Sequence, residues 1–313
     1  MPEIVEPTKS YLSVHYELRS AKQVERRMLI DALHTLGEDG FRISDYQYTG
    51  MGSIYFVDFV LFHKLLNITD MRSVEYDVEI RRRVRFNKPF TFVKIFINDV
   101  ADVIPKLSVR KRHLLWMDYD SFLSEKTAID IVLACSRLTP GSILLVTVDV
   151  EPPIRNGNPQ KWKEYFDEEV GHYVPPDESF AKSNLPRVNI DVISNVISSA
   201  TAPRGVEFFP LFSFLYRDGH QMLTMGGMFV AEDEKKRMLE SRVLKASYIR
   251  TDFGAKPCEI KVPTLTRKER IFLEGSMPCA DGWRPRGFEL DEDDVRAYRE
   301  IYRFFPVYAE LFL

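Results

Sequence analysis

Four acidic residues in the first half of the chain stand where open α/β proteins bind ligands. Glu75, Asp99, Asp118 and Asp149 each close, or follow directly on, an apolar run of β-strand composition. A carboxylate at the carboxyl end of a parallel strand can accept hydrogen bonds from both hydroxyls of a ribose. Acids also favour the turns that end strands, which accounts for some of these positions without any ligand. Upstream lies Gly50-Met51-Gly52-Ser53. Glycine at 50 and 52 allows a tight turn and lets a ligand approach the backbone where no Cβ intervenes. Free N–H groups in the first turn of a following helix favour a carboxylate or phosphate. Arg81, Arg82, Arg83 and Arg85 fall within five positions. They could read phosphates, or form the solvated face of a helix lying on a sheet.

These groups need a scaffold, and the pattern around them supplies one. Residues 45–77 read as a strand, the glycine turn, a helix over about 55–66, and a second strand over 71–76 that carries Glu75: one βαβ unit. A third strand is expected over 90–97, a short helix over 100–107, and a fourth apolar run over 114–117 that ends at Asp118-Tyr119-Asp120. A helix over 124–138 and a fifth strand over 142–150 follow. The run SILLVTVDV is what a strand covered on both faces looks like. Runs over 206–216 and 221–231, joined across Asp218-Gly219, read as a closing hairpin.

The fold class is therefore α/β: a doubly wound, mostly parallel seven-stranded sheet closed by an antiparallel hairpin. Residues 1–40 are an N-terminal arm and an amphipathic helix, 20–36, with Ser20 as N-cap and Gly37 as its stop. Residues 41–231 form the α/β domain. Within it, 151–205 is punctuated by seven prolines and reads as an insertion, a lid with helices at 159–170 and 189–199. Residues 232–313 form a helical extension with a capping box at Thr266–Glu269. Its last helix, over 291–311, spaces Tyr298, Tyr302, Phe305 and Tyr308 so that they could pack on the core or make a homodimer contact.

Bulk properties exclude several classes. The 313 residues carry 43 Lys and Arg against 46 Asp and Glu, a net charge of −3, so nothing draws the whole chain to nucleic acid or to an anionic membrane. Three widely spaced cysteines, Cys135, Cys258 and Cys279, give neither a disulfide framework nor a zinc motif. No apolar run is long enough to span a bilayer and the N-terminus has no signal-like apolar region, so a cytoplasmic setting is expected.

In this order, the elements over about 43–231 resemble a class I S-adenosylmethionine-dependent methyltransferase, of the kind labelled as prokaryotic O-methyltransferases. YTGMGS resembles the family's glycine motif and SVEYDVEIRRRVRFN the segment around its second strand. NDVADVIPKL and LLWMDYDS are similar to its third- and fourth-strand motifs, and LTPGSILLVTV to the fifth strand with its Pro-Gly lead-in. The resemblance implies S-adenosylmethionine as cofactor. It places Tyr48 where the family carries an acid, Gly50 and Gly52 against the methionine part, and the methionine carboxylate at the amides near Ser53. It gives Glu75 the ribose hydroxyls and Asp99 the adenine amino group. Asp118 and Asp120 are the implied catalytic pair, as base for a hydroxyl acceptor or as substrate guides. No metal is assigned, since the Asp-Asn pair of the metal-dependent enzymes is here Asp149-Val150. The Asn/Asp-Pro-Pro-Tyr/Phe and Pro-Cys motifs of base-methylating relatives are replaced by Asp118-Tyr119-Asp120-Ser121. The implied function is O-methylation of a small or nucleotide-like substrate. The alternatives are a catalytically silent nucleotide-binding or interaction protein, and a methyltransferase that contacts nucleic acid through Arg81, Arg82, Arg83 and Arg85.

Overall fold

All seven residues of Ile143–Asp149 are buried, as an unbroken β-branched and aliphatic run requires when helices cover both faces of a sheet. This run is strand β5 of a computed structural model that describes residues 19–306. Strands β1 (Gln47–Met51), β2 (Asp70–Glu75), β3 (Lys94–Ile97), β4 (His113–Phe122) and β5 pair in parallel. β6 (Glu207–Asp218) and β7 (His220–Val230) form the expected hairpin, and β7 pairs antiparallel with β5. The order across the sheet is β3-β2-β1-β4-β5-β7-β6-β8. The eighth strand, β8 (Cys258–Ile260), runs parallel to β6 at the outer edge and corrects the expected count of seven. Three residues in an otherwise helical tail carry too little alternation to be read from sequence.

The strand order reverses between β1 and β4. The chain leaves those two carboxyl ends toward opposite faces, and a crevice opens between the departing segments. Side chains alternate across the sheet: Leu114 and Trp116 enter one core layer, Leu115 and Met117 the other. The first layer is covered by α1 (Ser20–Leu36) and α2 (Val57–Leu66). Val84 of the six-residue α3 (Arg81–Phe86) and Met238 of α8 (Glu232–Glu240) join it. The second layer is built by α4 (Val100–Val103), α5 (Glu125–Arg137), α6 (Pro159–Val170) and α7 (Leu185–Thr201). Each large apolar side chain sealed in these layers contributes about 1.5–3 kcal/mol relative to its exposed state.

Several expectations move on physical grounds. α7 begins at Leu185, not 189, because Pro186 lies in its first turn, where a missing N–H costs nothing. The third strand begins at Lys94, because Phe90 and Phe92 stack on each other and against His63. Ser20 is not the cap of α1. The N–H groups of Ala21 and Lys22 donate instead to the carboxylate of Asp218, at 3.1 and 2.7 Å, from the far end of the hairpin. The capping box of Thr266 and Glu269 opens α9 (Arg267–Glu274) as expected. The closing helix is α10 (Glu292–Ile301), which ends before Pro306. Tyr298 is buried against Phe305. The N-terminal arm, Tyr308 and the last turns of the expected final helix lie outside the described residues. Among the described residues no helix is long and apolar enough to cross a membrane.

Candidate active site

The crevice at the switch point holds a cavity of about 300 Å³. Every central parallel strand except β5 contributes to it. Met51 and Ser53 come from the end of β1, Val74 through Asp77 from β2, and Asn98 through Val100 from β3. Asp118 through Ser121 come from β4, Tyr216 and Met222 from the hairpin, and Arg19 from the start of α1. None of the lining comes from residues 151–205, whose helices pack on the second core layer.

Glu75, Ser53, Asp99, Asp118 and Asp120, expected from the sequence, all line this one cavity. Glu75 accepts the N–H of Asp77 at 3.1 Å, and burial pushes its carboxyl above the ordinary range. The Ser53 hydroxyl is buried with no hydrogen-bond partner, as a group would be that awaits a ligand. β4 runs through to Phe122 with a register shift after Asp118, and both Asp118 and Asp120 line the cavity. Asp120 is exposed at the rim and makes no ion pair or hydrogen bond with any described residue.

Asp99 is more engaged than expected. It accepts the N–H of Ala101 at 3.0 Å, capping α4, and pairs with Lys126 at 2.8 Å; hydrogen bonds to these partners outweigh desolvation and lower its pKa. Lys126 also reaches Asp130 at 3.0 Å, and Asp130 accepts the hydroxyl of Tyr119 at 2.7 Å. Asp99, Lys126, Asp130 and Tyr119 thus form a continuous polar wall.

Three expected contacts do not lie on the cavity. Tyr48 is 1% exposed, and its ring packs edge-on against Phe59 and Phe62, each at 4.9 Å between centroids. Two residues on in β1, Gly50 shares its face, and a Cβ there would collide with the Tyr48 hydroxyl. A Cβ at Gly52 would collide with the hydroxyl of Ser73 and crowd the Phe56 ring. The glycines are therefore required by the protein's own side chains. Tyr48→Phe is expected to change the dissociation constant for S-adenosylmethionine by less than about twofold in calorimetry. A tenfold loss would return Tyr48 to the site. Asp149 also lies off the cavity. Its Oδ2 is 2.7 Å from Nδ1 of His220, and its Oδ1 accepts the N–H of Glu151 at 2.8 Å.

The residues that sequence reasoning missed come from α1. Lys22 is 1% exposed, and its ammonium donates to Asp118 at 2.8 Å and to the Tyr216 hydroxyl at 3.0 Å. It also lies 2.9 Å from Glu25 and 4.4 Å over the Trp116 ring. Arg26, one turn on, pairs with Asp58 of α2. Although desolvation opposes it, Lys22 is held well above its ordinary pKa by Asp118 and Glu25. Burial raises the pKa of Asp118, but the charge and hydrogen bond of Lys22 outweigh it and lower the net value. Burial pushes Glu25 up. A signal existed: Lys22, Glu25 and Arg26 at i, i+3 and i+4 share the face that carries Leu29 and Leu33 into the core.

The arrangement can hold a ligand with vicinal hydroxyls against Glu75 and a polar group against Ser53. It keeps Asp118 negative beside them and leaves Asp120 free at the rim. This set of hydrogen-bond acceptors suits a nucleoside. Among the described residues no group of three or more His, Cys, Asp or Glu could hold a metal ion.

A sequence model for the family described as "Putative O-methyltransferase" matches residues 14–313. No curated protein matches the chain. Solved structures similar to it include three methyltransferase-fold proteins. Trm1 from Pyrococcus horikoshii in complex with S-adenosyl-L-methionine is 11% identical, with 76% of this chain and 62% of that one covered and a TM-score of 0.46. The N-methyltransferase NodS from Bradyrhizobium japonicum is 10% identical, with 66% and 97% covered and a TM-score of 0.38. The fibrillarin pre-rRNA processing protein from Methanococcus jannaschii is 11% identical, with 60% and 68% covered and a TM-score of 0.35.

Proposed function

The chain belongs to the "Putative O-methyltransferase" family, and on that premise we propose that it transfers a methyl group from S-adenosylmethionine to an oxygen of a small or nucleotide-like acceptor. The observation that carries this reading is the convergence of Ser53, Glu75 and Asp118, from three strand ends, on one cavity at the switch point of the sheet. When bound, the cofactor supplies an electrophilic methyl carbon on a sulfonium.

Glu75 would hold the ribose hydroxyls, and Ser53 would give its unpartnered hydroxyl to the methionine end. Asp99, already paired with Lys126 and capping α4, retains carboxylate lone pairs for the adenine side. The roles of the two β4 acids separate. Asp118 is ion-paired with Lys22 and has a depressed pKa, so it stays ionised and is a poor proton acceptor. It acts as a fixed negative charge beside the transferring group. Asp120, unpaired at the rim, takes the proton of the acceptor hydroxyl as the new C–O bond forms. Alignment of acceptor and donor does the rest, since in-line transfer needs little else.

The test is incorporation of a labelled methyl group into fractionated small-molecule and nucleotide pools. We expect an acid- and base-stable ether-type product, and a loss of about 10²-fold or more in rate for Asp120→Asn at unchanged cofactor affinity. Cofactor binding with no label in any pool would favour the catalytically silent nucleotide-binding protein instead.

A further inference from the structure

A charged strip runs outward from the mouth of the cavity. Tyr76 and Asp77 form part of the cavity wall, and the next residues, Val78, Glu79, Arg81 and Arg82, line an open groove. The strip continues along α3, whose inward side is Val84 with Ile80 just before it. The other five positions of this six-residue helix are exposed. Spacing by four puts Arg82 beside Phe86 on the outermost face and Arg81 beside Arg85 along its edge.

Two features set this strip apart. First, Arg81, Arg82, Arg83 and Arg85 make no ion pair or side-chain hydrogen bond with any described residue. Carboxylates are not scarce, since acids outnumber bases 46 to 43. Several arginines elsewhere find them: Arg217 pairs with Glu151, Arg242 with Glu38 and Asp39, Arg112 with Glu234. Those that find none among the described residues, such as Arg27, Arg155 and Arg267, are not clustered as these four are. Asp77 and Glu79 lie at the inner end of the strip, and the four guanidiniums beyond outnumber them, so a chain of net charge −3 keeps a local positive field here for an anionic partner. Second, large apolar side chains stand open among them. Phe86 is 90% exposed, Tyr76 77% and Val78 61%. An acidic peptide or a free phosphate would use the arginines and leave these rings in water. Unpaired bases use both, with phosphates on guanidiniums and base faces on aromatic rings and arginine planes. A duplex keeps its base faces stacked inside and cannot occupy the rings.

We propose that the strip formed by Tyr76, Val78, Arg81, Arg82, Arg85 and Phe86 docks a single-stranded nucleic acid and leads one of its nucleotides to the cavity. The second half of this statement rests on the reading of the cavity as a methyl-acceptor site; the docking does not. The strip adjoins the wall that carries Glu75, so a strand lying on it has a nucleotide within reach of the cavity mouth.

The experiment is fluorescence anisotropy of the full chain with labelled 20-nucleotide oligouridylate and oligothymidylate, without cofactor, across a salt series. Three phosphate contacts, one for each arginine of the strip, predict a slope of log K against log salt of about −2.1. Arg82→Ala/Arg85→Ala should reduce its magnitude by about 1.4 and weaken binding. Phe86→Ala should weaken binding about tenfold and leave the slope unchanged, because stacking releases no counterions. All three positions are exposed, so these variants keep the fold. The proposal is overturned if neither strand binds at 50 mM salt, if the double arginine variant binds as the parent does, or if polyglutamate or a blunt duplex competes as well as the single strand. Strand binding without cofactor binding would leave the docking surface standing and remove the methyl-transfer reading. Cofactor binding without strand binding would do the reverse.

Discussion

Glu75→Gln removes binding of S-adenosylmethionine, by a factor of about 100 or more, and at the same time raises the melting temperature of the free protein at pH 7. Both effects follow from one carboxylate. Within the cavity its charged oxygens would accept two ribose hydroxyls, and charge-assisted hydrogen bonds of this kind contribute about 1.5–3 kcal/mol each. Losing about 3 kcal/mol is slightly more than a hundredfold in affinity. In the free protein the same carboxylate is partly buried with few partners, and desolvation lifts its pKa above the ordinary 4.5. A folded pKa above the unfolded one means that the native state holds the proton more tightly. The favourable contribution is fully present below the unfolded value and is lost as pH rises through the folded value. At pH 7 the charge is therefore a cost that glutamine does not carry. Below about pH 4 the gap between variant and parent should close. Calorimetric titration and thermal melts at the two pH values check both halves. A variant that binds normally, or that melts lower at pH 7, would remove Glu75 from the role assigned to it.

Lys22→Met should destabilise the fold by about 3–5 kcal/mol, a fall in melting temperature of about 5–8 °C. Methionine matches the length of the stem, so packing against Trp116 is largely kept. What is lost is the only cation hydrogen-bonded to Asp118 among the described residues, and the one that lies against Glu25. Two carboxylates would then face each other in a buried site. Adding Asp118→Asn should recover a large part of the loss, because the two residues act as one unit and their effects do not add. The pH dependence carries a sign. Asp118 has a folded pKa below its ordinary 3.8, so its stabilisation is present above that value and lost as pH falls through the folded value. The parent's advantage over Lys22→Met should therefore shrink below about pH 4. Equal stability of parent and variant in denaturant titrations at pH 7 would contradict the network.

The parts of the site legible in the sequence are those whose signal is local. Glu75, Asp99 and Asp118 each close, or lie just past, an apolar run, and a parallel α/β pattern sends such ends to one side of the sheet. Asp149 satisfies the same pattern and misses the cavity, because β5 lies beyond β4 on the side away from the switch point and the hairpin brings His220 to it. Tyr48 was placed by its motif position, but the side-chain alternation it shares with Gly50 turns it toward Phe59 and Phe62. The part that could not be read is long-range. Lys22 meets Asp118 across 96 positions and Tyr216 across 194, and Asp218 caps α1 across 197. Charges on the buried face of a helix announce that partners exist, not which ones they are.

The central claim is that the cavity at the ends of β1, β2 and β4 is a binding site for S-adenosylmethionine. Native mass spectrometry of the full chain, as purified and after addition of the cofactor, tests it most directly. We predict one bound S-adenosylmethionine or S-adenosylhomocysteine per chain, retained in Tyr48→Phe and lost in Glu75→Gln. A chain that stays free at saturating cofactor, or an adduct that persists in Glu75→Gln, would contradict the account.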